Sequence, residues 1–500
     1  MDSPVQIPFK SFVQLNPDDD TPLYLQIVFE FIKAIQLGLL PEGTKLPGTR
    51  ILCKLLQINR NTLIKAFQDL ESQGFIEISP SKGTFILARQ VQGSRNKASA
   101  SGFPGGKEIT GFEFKRSALL ENPVEASDLP FQFNDGWPDA RLIHTDALAR
   151  LYVSRLKRQQ HKKFWAQFAQ QVHLDFKKQF SNYLNLTRGL RISESKLLTT
   201  SSHEIALYLL FKVLISPGDQ VVVGAPSYYS SNMTISDSGA EIISIPVDEE
   251  GIDTEHLKKI CETHHIKVVY LSSVYHYPTT VLLSAKRRIE ILDLASSYGF
   301  ILIEDDHDFD FHFDNNPILP LATMDSKHRV IYIGSLARSL PPGFGYGFIA
   351  APAEFIQELE KHQNILEAGI DVIKEQVLTG WIQDGDIHRL LKKNRKTYGA
   401  RRDHFAALLH EKLQGKITFQ IPARGLAFWV RWINAPNLIR LRKRCAERGL
   451  FLPKTILYQT RNLTATRLGF GNLDPQEMEA ALDILAECVQ SLEGEVHALH

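Results

Sequence analysis

From residue 130 onward, short apolar runs alternate with longer amphipathic stretches, and this alternation constrains the fold more than any other feature. Three amphipathic stretches are each followed by such a run: 203–215 by 220–225, 255–264 by 266–273, and 285–299 by 300–306. Strands that are apolar throughout are buried on both faces, which is typical of a mainly parallel sheet covered by helices. We therefore predict an α/β domain over residues 130–500, with a small α+β lobe over about 360–500.

Residues 22–88 predict a separate, smaller unit. A first helix has apolar residues at helical spacing, a second follows the turn cluster "PEGTKLPG", and a third ends at Gly74. The stretch "FIEISPSKGTFIL" is typical of two short strands joined by a turn. Three short helices followed by a hairpin make a winged helix-turn-helix, an α+β unit that we assign to residues 1–88.

Residues 89–129 differ in composition from both neighbours. The stretch "QGSRNKASASGFPGG" is rich in Gly, Ser and Lys and has few large apolar side chains. Such a segment cannot bury enough surface to offset its chain entropy. We predict a flexible linker between the two domains.

The small unit carries a local positive charge, although the whole chain is nearly neutral. Lys and Arg number 57 against 56 Asp and Glu, yet basic residues outnumber acidic ones between Gly43 and Gln90. A local excess of this kind is expected where a protein contacts phosphates, although a solvated basic face would look the same.

The reading helix of this unit is predicted to begin at Arg60, Asn61 and Thr62. The first residues of that helix meet base edges in the major groove, where Arg can read guanine and Asn can read adenine. Lys82 and Gly83, at the tip of the hairpin, could reach the DNA backbone or the minor groove.

Four pieces of this segment resemble, in order and spacing, the winged-helix domain of GntR-type bacterial regulators: "PLYLQI", "LPEGTKLPGTR", "INRNTLIKAFQDLESQGFI" and "KGTF". The resemblance implies a double-stranded DNA operator as partner. It also implies these DNA-binding residues: Arg50, Arg60, Asn61, Thr62, Lys65, Lys82 and Gly83.

The segments after the linker resemble fold-type I aminotransferases, which bind pyridoxal 5′-phosphate (PLP). A GntR head on such a body is the architecture of MocR-type regulators. By position, Asp305 in "FILIEDDHDFDF" would face the pyridine nitrogen, and Tyr228 in "GAPSYYSS" would stack on the ring. Arg467 in "ATRLGF" would clamp a ligand carboxylate. Other positions that match the cofactor pocket are Ser202, His203, His307 and Ser335.

The lysine that forms the Schiff base in this family is missing from its frame. "GSLARSLPPG" has Arg338 at that position. A buried Lys can lose its proton and attack an aldehyde, whereas Arg stays protonated, with a pKa of about 12 or above. Gly345 stands where the family places a phosphate-binding Arg, and Thr280 replaces a Gly. These changes predict a pseudo-aminotransferase with no catalytic residue and no covalently bound PLP.

Three interpretations of the pocket remain open. In the first, the domain senses a small carboxylate or a PLP-like effector held without a covalent bond. In the second, Arg338 pairs with Asp305 and fills the place of the cofactor, since two buried charges are stable only as a pair. In the third, the protein is an active PLP-dependent aminotransferase, or a regulator that binds PLP through an unusual lysine.

The remaining expectations concern assembly and location. The resemblance implies a homodimer, arranged head-to-tail. The four cysteines are widely separated, so we predict a reducing cytoplasm, and no His or Cys spacing predicts a metal site. The N-terminus lacks a signal pattern, and no apolar run approaches the roughly 18 residues that span a membrane.

Overall fold

The computed structural model describes residues 9–87 except 14, 18, 20, 37 and 81, and residues 110–498 except 115–116, 144, 159–163, 314–317, 342, 368 and 370. The chain divides into two compact units, Met1–Glu113 and Phe114–His500. Within the described ranges, every helix is too short or too polar to cross a membrane.

The first unit is a winged helix-turn-helix, as predicted. Its core is apolar, with Leu63 and Leu70 fully buried and the ring of Phe31 packed edge-on against Phe67 at 5.9 Å. The helix Thr49–Leu56 ends at Gln57, which has a left-handed φ of 55°. Residues 57–59 then turn the chain into the helix Arg60–Ser72. The elements are α1 (Phe9–Phe12), α2 (Leu23–Gln36), α3 (Thr49–Leu56), α4 (Arg60–Ser72), β1 (Ile76–Ser79) and β2 (Gly83–Ile86).

The wing is the antiparallel pair β1–β2, closed where Ser79 faces Gly83. Gly83 has a φ of +118°, a conformation that side chains rarely adopt. A Cβ there would lie 2.9 Å from Cε of Lys45, a flexible side chain that can move aside, so the backbone conformation is what favours glycine. Lys82 precedes it at the exposed tip.

The predicted linker is described only in part, because residues 88–109 lie outside the described ranges. Its last part is held against the second unit. Glu125 accepts a hydrogen bond from Arg442 at 2.9 Å and another from the backbone N–H of Lys454 at 2.9 Å. Glu125, within the predicted linker, is thus bonded to residues more than 300 positions away, and the flexible linker stays a prediction.

The second unit alternates helices with strands over most of its length. Its helices are α5 (Asp146–Arg158), α6 (Trp165–Arg188), α7 (His203–Leu214), α8 (Tyr229–Asp237), α9 (Thr254–Cys261), α10 (Ala285–Tyr298), α11 (Ala353–Leu366), α12 (Val372–Gln383), α13 (Asp386–Lys412), α14 (Leu438–Glu447) and α15 (Pro475–Ala498). Its strands are β3 (Phe131–Gln132), β4 (Leu197–Thr200), β5 (Gln220–Ala225), β6 (Glu241–Asp248), β7 (Gly251–Ile252), β8 (Ile266–Leu271), β9 (Ile301–Asp306), β10 (Val330–Ser335), β11 (Gly347–Ala350), β12 (Ile417–Phe419), β13 (Ala427–Trp432), β14 (Leu450–Phe451), β15 (Leu457–Gln459) and β16 (Thr464–Gly469).

The large sheet has the order β4-β11-β10-β9-β8-β5-β6-β7. Strands β10, β9, β8, β5 and β6 are parallel, whereas β11 is antiparallel to both of its neighbours. Adjacent residues on β9 enter different cores: Leu302 packs with α10 and Ile303 with α7. This burial on both faces explains why the strands are apolar throughout, and it confirms the predicted α/β domain.

The small lobe is built on the antiparallel sheet β12-β13-β16-β15. Its core joins Phe428 and Leu468 of the sheet to Phe405 of α13 and Leu485 of α15. Helices α11 and α12 pack instead on α7 and α6. The lobe thus begins within α13, later than the predicted residue 360.

Candidate functional site

The carboxyl ends of β4, β5, β9 and β10 border a cavity of about 350 Å³ in the second unit. Parallel strands place their C-terminal loops on one edge of a sheet, so residues distant in sequence meet there. Five residues selected from the sequence line this cavity: Ser202, His203, Tyr228, His307 and Arg338.

Asp305, at the end of β9, contacts two of these lining residues, His203 and His307, and is 1% exposed. One carboxylate oxygen, Oδ2, lies 3.0 Å from Nε2 of His203 and also accepts a hydrogen bond from the hydroxyl of Tyr270. The other oxygen, Oδ1, lies 3.5 Å from Nδ1 of His307. Asp305 is therefore surrounded by nitrogen and hydroxyl donors of the protein itself.

Electrostatics keep this carboxylate charged. Burial alone would raise the pKa of Asp305, but the charge and hydrogen bond of His203, together with His307, outweigh it and hold the pKa below its ordinary value. The same two effects act in opposite directions on the pKa of His307. Burial lowers the pKa of this imidazole, but the charges of Asp308 and Asp305 outweigh burial and raise it.

Arg338 is fixed by contacts to the protein. Its NH1 lies 2.5 Å from Oδ1 of Asp308, and its NH2 donates to the backbone carbonyls of Asp135 and Gly136 at 3.1 and 2.8 Å. The guanidinium also lies over the ring of Trp137, 4.9 Å from its centroid. The pairing with Asp305, one of the three open interpretations, is therefore not observed, because Asp308, two residues beyond the end of β9, is the carboxylate that bonds to the guanidinium.

No described residue that lines the cavity is a lysine. Lys374 lies elsewhere, where its ammonium donates to the carbonyl of Gly345 at 2.8 Å and sits over the ring of Tyr346. Burial lowers the pKa of Lys374. The amine that the family uses for covalent binding thus has no counterpart among the described cavity residues.

Gly345, where the family has an arginine, has no space for a side chain. A Cβ at this position would lie 2.4 Å from Cα of Ala337, inside the turn that carries Arg338. The backbone of that turn therefore occupies the space that a side chain at 345 would need.

We expect Gly345→Ala to destabilise the second unit by about 1–3 kcal/mol, since the clash is with backbone that cannot rotate away. Urea unfolding followed by fluorescence measures the change. Gly380→Ala is the control, because a Cβ there makes only ordinary contacts, the nearest at 3.7 Å from Leu151, and alanine favours a helix. Equal unfolding midpoints for the two variants would contradict this expectation.

Arg467, expected to clamp a ligand carboxylate, is fully buried and already holds one. Its Nε donates to Asp135 Oδ1 at 2.7 Å, NH1 to the carbonyl of Pro278 at 2.9 Å, and NH2 to the hydroxyl of Tyr275 at 3.2 Å. A ligand carboxylate would have to displace Asp135. Its role as a ligand clamp stays a prediction.

The other predicted pocket residues take different positions. Tyr228 lines the cavity, with its ring 6.0 Å from that of His307 in a nearly parallel arrangement. Ser202 caps α7 by accepting a hydrogen bond from the backbone N–H of Ile205. Ser335 accepts a hydrogen bond from the backbone N–H of Ala337 at 3.0 Å and thereby stabilises its own turn.

Asp135, Asp308 and Tyr277 are parts of the site that sequence reasoning missed. Asp135 bridges Arg467 and the hydroxyl of Tyr277, which donates to its Oδ2 at 2.9 Å. The only sequence signal for Asp135 was a turn-rich stretch, "NDGWPD", at the start of the domain. Asp308 lies in the acidic run "EDDHDFDF", and the sequence does not distinguish it from the other carboxylates of that run as the partner of Arg338.

The first unit carries the predicted DNA-binding residues on α3, α4 and the wing. Arg60 and Asn61 form the exposed first turn of α4, and Thr62 beside them is half-buried. Lys65, one turn later, is exposed and places its ammonium 3.9 Å from the ring centroid of Tyr24. Two further predicted residues are also exposed: Arg50 at the start of α3 and Lys82 at the wing tip.

Residues 149–485, more than half of the chain, match the aminotransferase class I and II family. The chain belongs to this family. Residues 23–86 match the gntR family of bacterial regulatory proteins. An aminotransferase-family body thus carries a GntR winged helix, the combination expected from the sequence.

Two relatives are similar to nearly the whole chain. The uncharacterized HTH-type transcriptional regulator YdfD of Bacillus subtilis (strain 168) is 26% identical over 485 residues, covering 96% of this chain and 99% of the relative. The "Probable rhizopine catabolism regulatory protein MocR" of Rhizobium meliloti is 22% identical over 486 residues, covering 96% of both chains. The chain is therefore homologous to MocR-type regulators over both domains.

Solved structures of aminotransferases share the fold of the body. The multiple substrate aminotransferase from Thermococcus profundus has a TM-score of 0.66 at 22% identity, covering 76% of this chain and 96% of that one. At this identity the likeness establishes the fold alone.

The aminotransferase family depends on PLP, but the described cavity residues do not fit PLP bound through a Schiff base. The described residues that line the cavity include no lysine, and the guanidinium of Arg338 is bonded to Asp308. In addition, His203 and Tyr270 already occupy one oxygen of Asp305, the carboxylate expected to face the pyridine nitrogen.

Proposed function

We propose that this protein is a DNA-binding transcriptional regulator of the GntR/MocR type whose aminotransferase-like domain binds a small ligand without forming a Schiff base. The observation that carries the proposal is Arg338, held by Asp308 and two backbone carbonyls in the frame of the family lysine. The GntR match over 23–86 and the two full-length regulator relatives support the DNA-binding part.

Arg338 is unsuited to covalent chemistry for two reasons. Burial disfavours its charge, but the carboxylates of Asp308 and Asp135 outweigh burial and raise its pKa, so the group stays protonated. Its nitrogens are delocalised and poor nucleophiles even when free. The side chain can therefore order a turn and attract an anion, but it cannot capture an aldehyde.

The cavity has the properties of a non-covalent ligand site. Tyr228, Tyr277 and Trp137 supply apolar surface, whereas His203, His307 and Arg338 supply polar groups. A small carboxylate or a PLP-like molecule fits this combination of aromatic walls and nitrogen donors. Binding of such an effector would be the signal to which the regulator responds.

We further propose that the body forms a head-to-tail homodimer in the cytoplasm, since aminotransferase-like domains are typically dimeric. Two winged helices in one dimer would contact two half-sites of a double-stranded operator. The first unit would occupy residues 1–88, followed by a linker that ends before Glu125.

We expect the full-length protein, purified without added PLP, to show no aldimine absorption band and no borohydride-fixed adduct on any peptide. Spectroscopy and peptide mass spectrometry measure this. An aminotransferase of known PLP dependence, treated in the same way, is the positive control. A stable adduct on any lysine of this chain would contradict the proposal and favour an active aminotransferase or a regulator with an unusual PLP lysine.

A further inference from the structure

We propose that His203, Asp305 and His307 form a binding site for a divalent transition-metal ion beside the cavity. One ligand atom from each residue lies within 4.8 Å of the others. His203 is the first residue of α7, and Asp305 and His307 stand at the end of β9. The inference does not depend on the DNA-binding role proposed above.

Two distances within this cluster, each from an imidazole nitrogen to the carboxylate of Asp305, match those between ligands of a single ion. Nε2 of His203 lies 3.0 Å from Oδ2 of Asp305, and Nδ1 of His307 lies 3.5 Å from Oδ1 of the same carboxylate. Two ligands that each bind an ion at roughly 2.0–2.2 Å, at tetrahedral or octahedral angles, are themselves about 3–3.5 Å apart. Small adjustments of the side chains would therefore admit an ion.

Unpartnered buried atoms in the cluster point to a missing ligand. Asp305 Oδ1, His307 Nδ1 and His203 Nδ1 are buried and have no hydrogen-bond partner. Buried polar atoms without a partner cost free energy and are rare in folded proteins. A cation coordinated by Asp305 Oδ1 and His307 Nδ1 would give both atoms a partner. The 3.5 Å between these two atoms is too long for a good hydrogen bond.

The surrounding residues provide a supporting shell. Tyr270 donates to Oδ2 of Asp305 and fixes the carboxylate. Nε2 of His307 lies 3.6 Å from Oδ2 of Asp308, an oxygen without another partner. A carboxylate behind a histidine orients the ring and makes it a better ligand, as in many metal sites.

Two imidazoles and one carboxylate select zinc, cobalt, nickel or iron over calcium and magnesium, which prefer oxygen ligands. Three protein ligands leave coordination positions open. Because His203 and His307 line the cavity, those positions face it, so a carboxylate or hydroxyl oxygen of a small ligand could complete the coordination.

The test is metal binding by the full-length chain after chelator treatment. We expect isothermal titration with Zn²⁺ to give one tight site per chain, and Co²⁺ to give the visible bands of a four- or five-coordinate ion. His203→Gln and His307→Gln should each weaken binding on the order of 100-fold or more. His256→Gln is the matched control, because His256 is exposed on α9, and it should bind as the unaltered chain does.

Absence of a tight site, or equal affinity in the His203→Gln and His307→Gln variants, would overturn the inference. Should both variants unfold, X-ray absorption of the unaltered zinc-loaded protein decides the matter. Two imidazoles with oxygen in the coordination shell support the site. Sulfur ligands would place the ion at cysteines and overturn the inference.

Discussion

Arg60→Ala is expected to weaken sequence-specific DNA binding and to relax the preference at one base pair, while leaving both domains folded. Arg60 is the exposed first residue of α4, where a guanidinium can form two hydrogen bonds to a guanine. Loss of such a contact costs about 1–3 kcal/mol, a fall in affinity of roughly 10- to 100-fold, and relaxes the preference at that base pair. The measurement is a titration of fluorescent duplexes selected from random DNA by the unaltered full-length protein.

Two further variants separate base reading from general charge. Lys82→Ala, at the wing tip, should weaken binding to all duplexes alike and lower the salt dependence by about one phosphate contact. Lys33→Ala removes an exposed positive charge from α2 and should leave specific binding unchanged. If Arg60→Ala kept full specificity with an unaltered circular dichroism spectrum, α4 would not be the reading helix.

Arg338→Met should destabilise the second unit by about 3–5 kcal/mol at pH 7. The variant leaves Asp308, only 2% exposed, without its guanidinium partner, and His307 remains as the nearest cation at 3.6 Å. A buried carboxylate without a partner destabilises the folded state, whereas replacing both members of the pair by uncharged groups of similar shape costs little free energy. Chemical denaturation gives the free energy of unfolding.

The loss should depend on pH in a defined direction. In the unaltered protein, burial raises the pKa of Asp308, but Arg338 and His307 outweigh burial and lower it. Without Arg338 the largest effect that lowers the pKa of Asp308 is lost, so the folded-state pKa rises from its position in the unaltered protein, although His307 and Arg467 still oppose burial. The penalty is then largest at neutral pH and shrinks as the pH falls through that raised pKa, because protonation removes the buried charge.

A double variant tests whether the pair is the cause. Arg338→Met combined with Asp308→Asn should recover most of the stability, since neither member of the buried pair then carries a charge. Arg389→Met, which breaks an exposed ion pair with Asp386, should change stability by only about 0–1 kcal/mol. A loss in the double variant as large as in the single one would show that packing of the arginine, over the ring of Trp137, matters more than its charge.

The sequence by itself determined the two folds. The alternation of short apolar runs such as 300–306 with amphipathic stretches indicated a buried sheet, and the helical spacing before Gly74 indicated the reading helix, because these patterns depend on local periodicity. The prediction that Arg338 replaces the family lysine also came from a local motif, the turn "GSLARSLPPG". Local signals of this kind do not require knowledge of distant neighbours.

Only the tertiary structure decided which charges meet. Arg467 pairs with Asp135, which lies 332 positions earlier, and His203 meets Asp305 across 102 positions. Arg338 bonds to Asp308 although Asp305 is nearly as close in sequence, because the chain turns after β9 and presents a different carboxylate. Such pairings depend on the order of the strands in the sheet, because that order decides which strand ends lie at the same edge. A sequence pattern with a period of a few residues carries no information about the strand order.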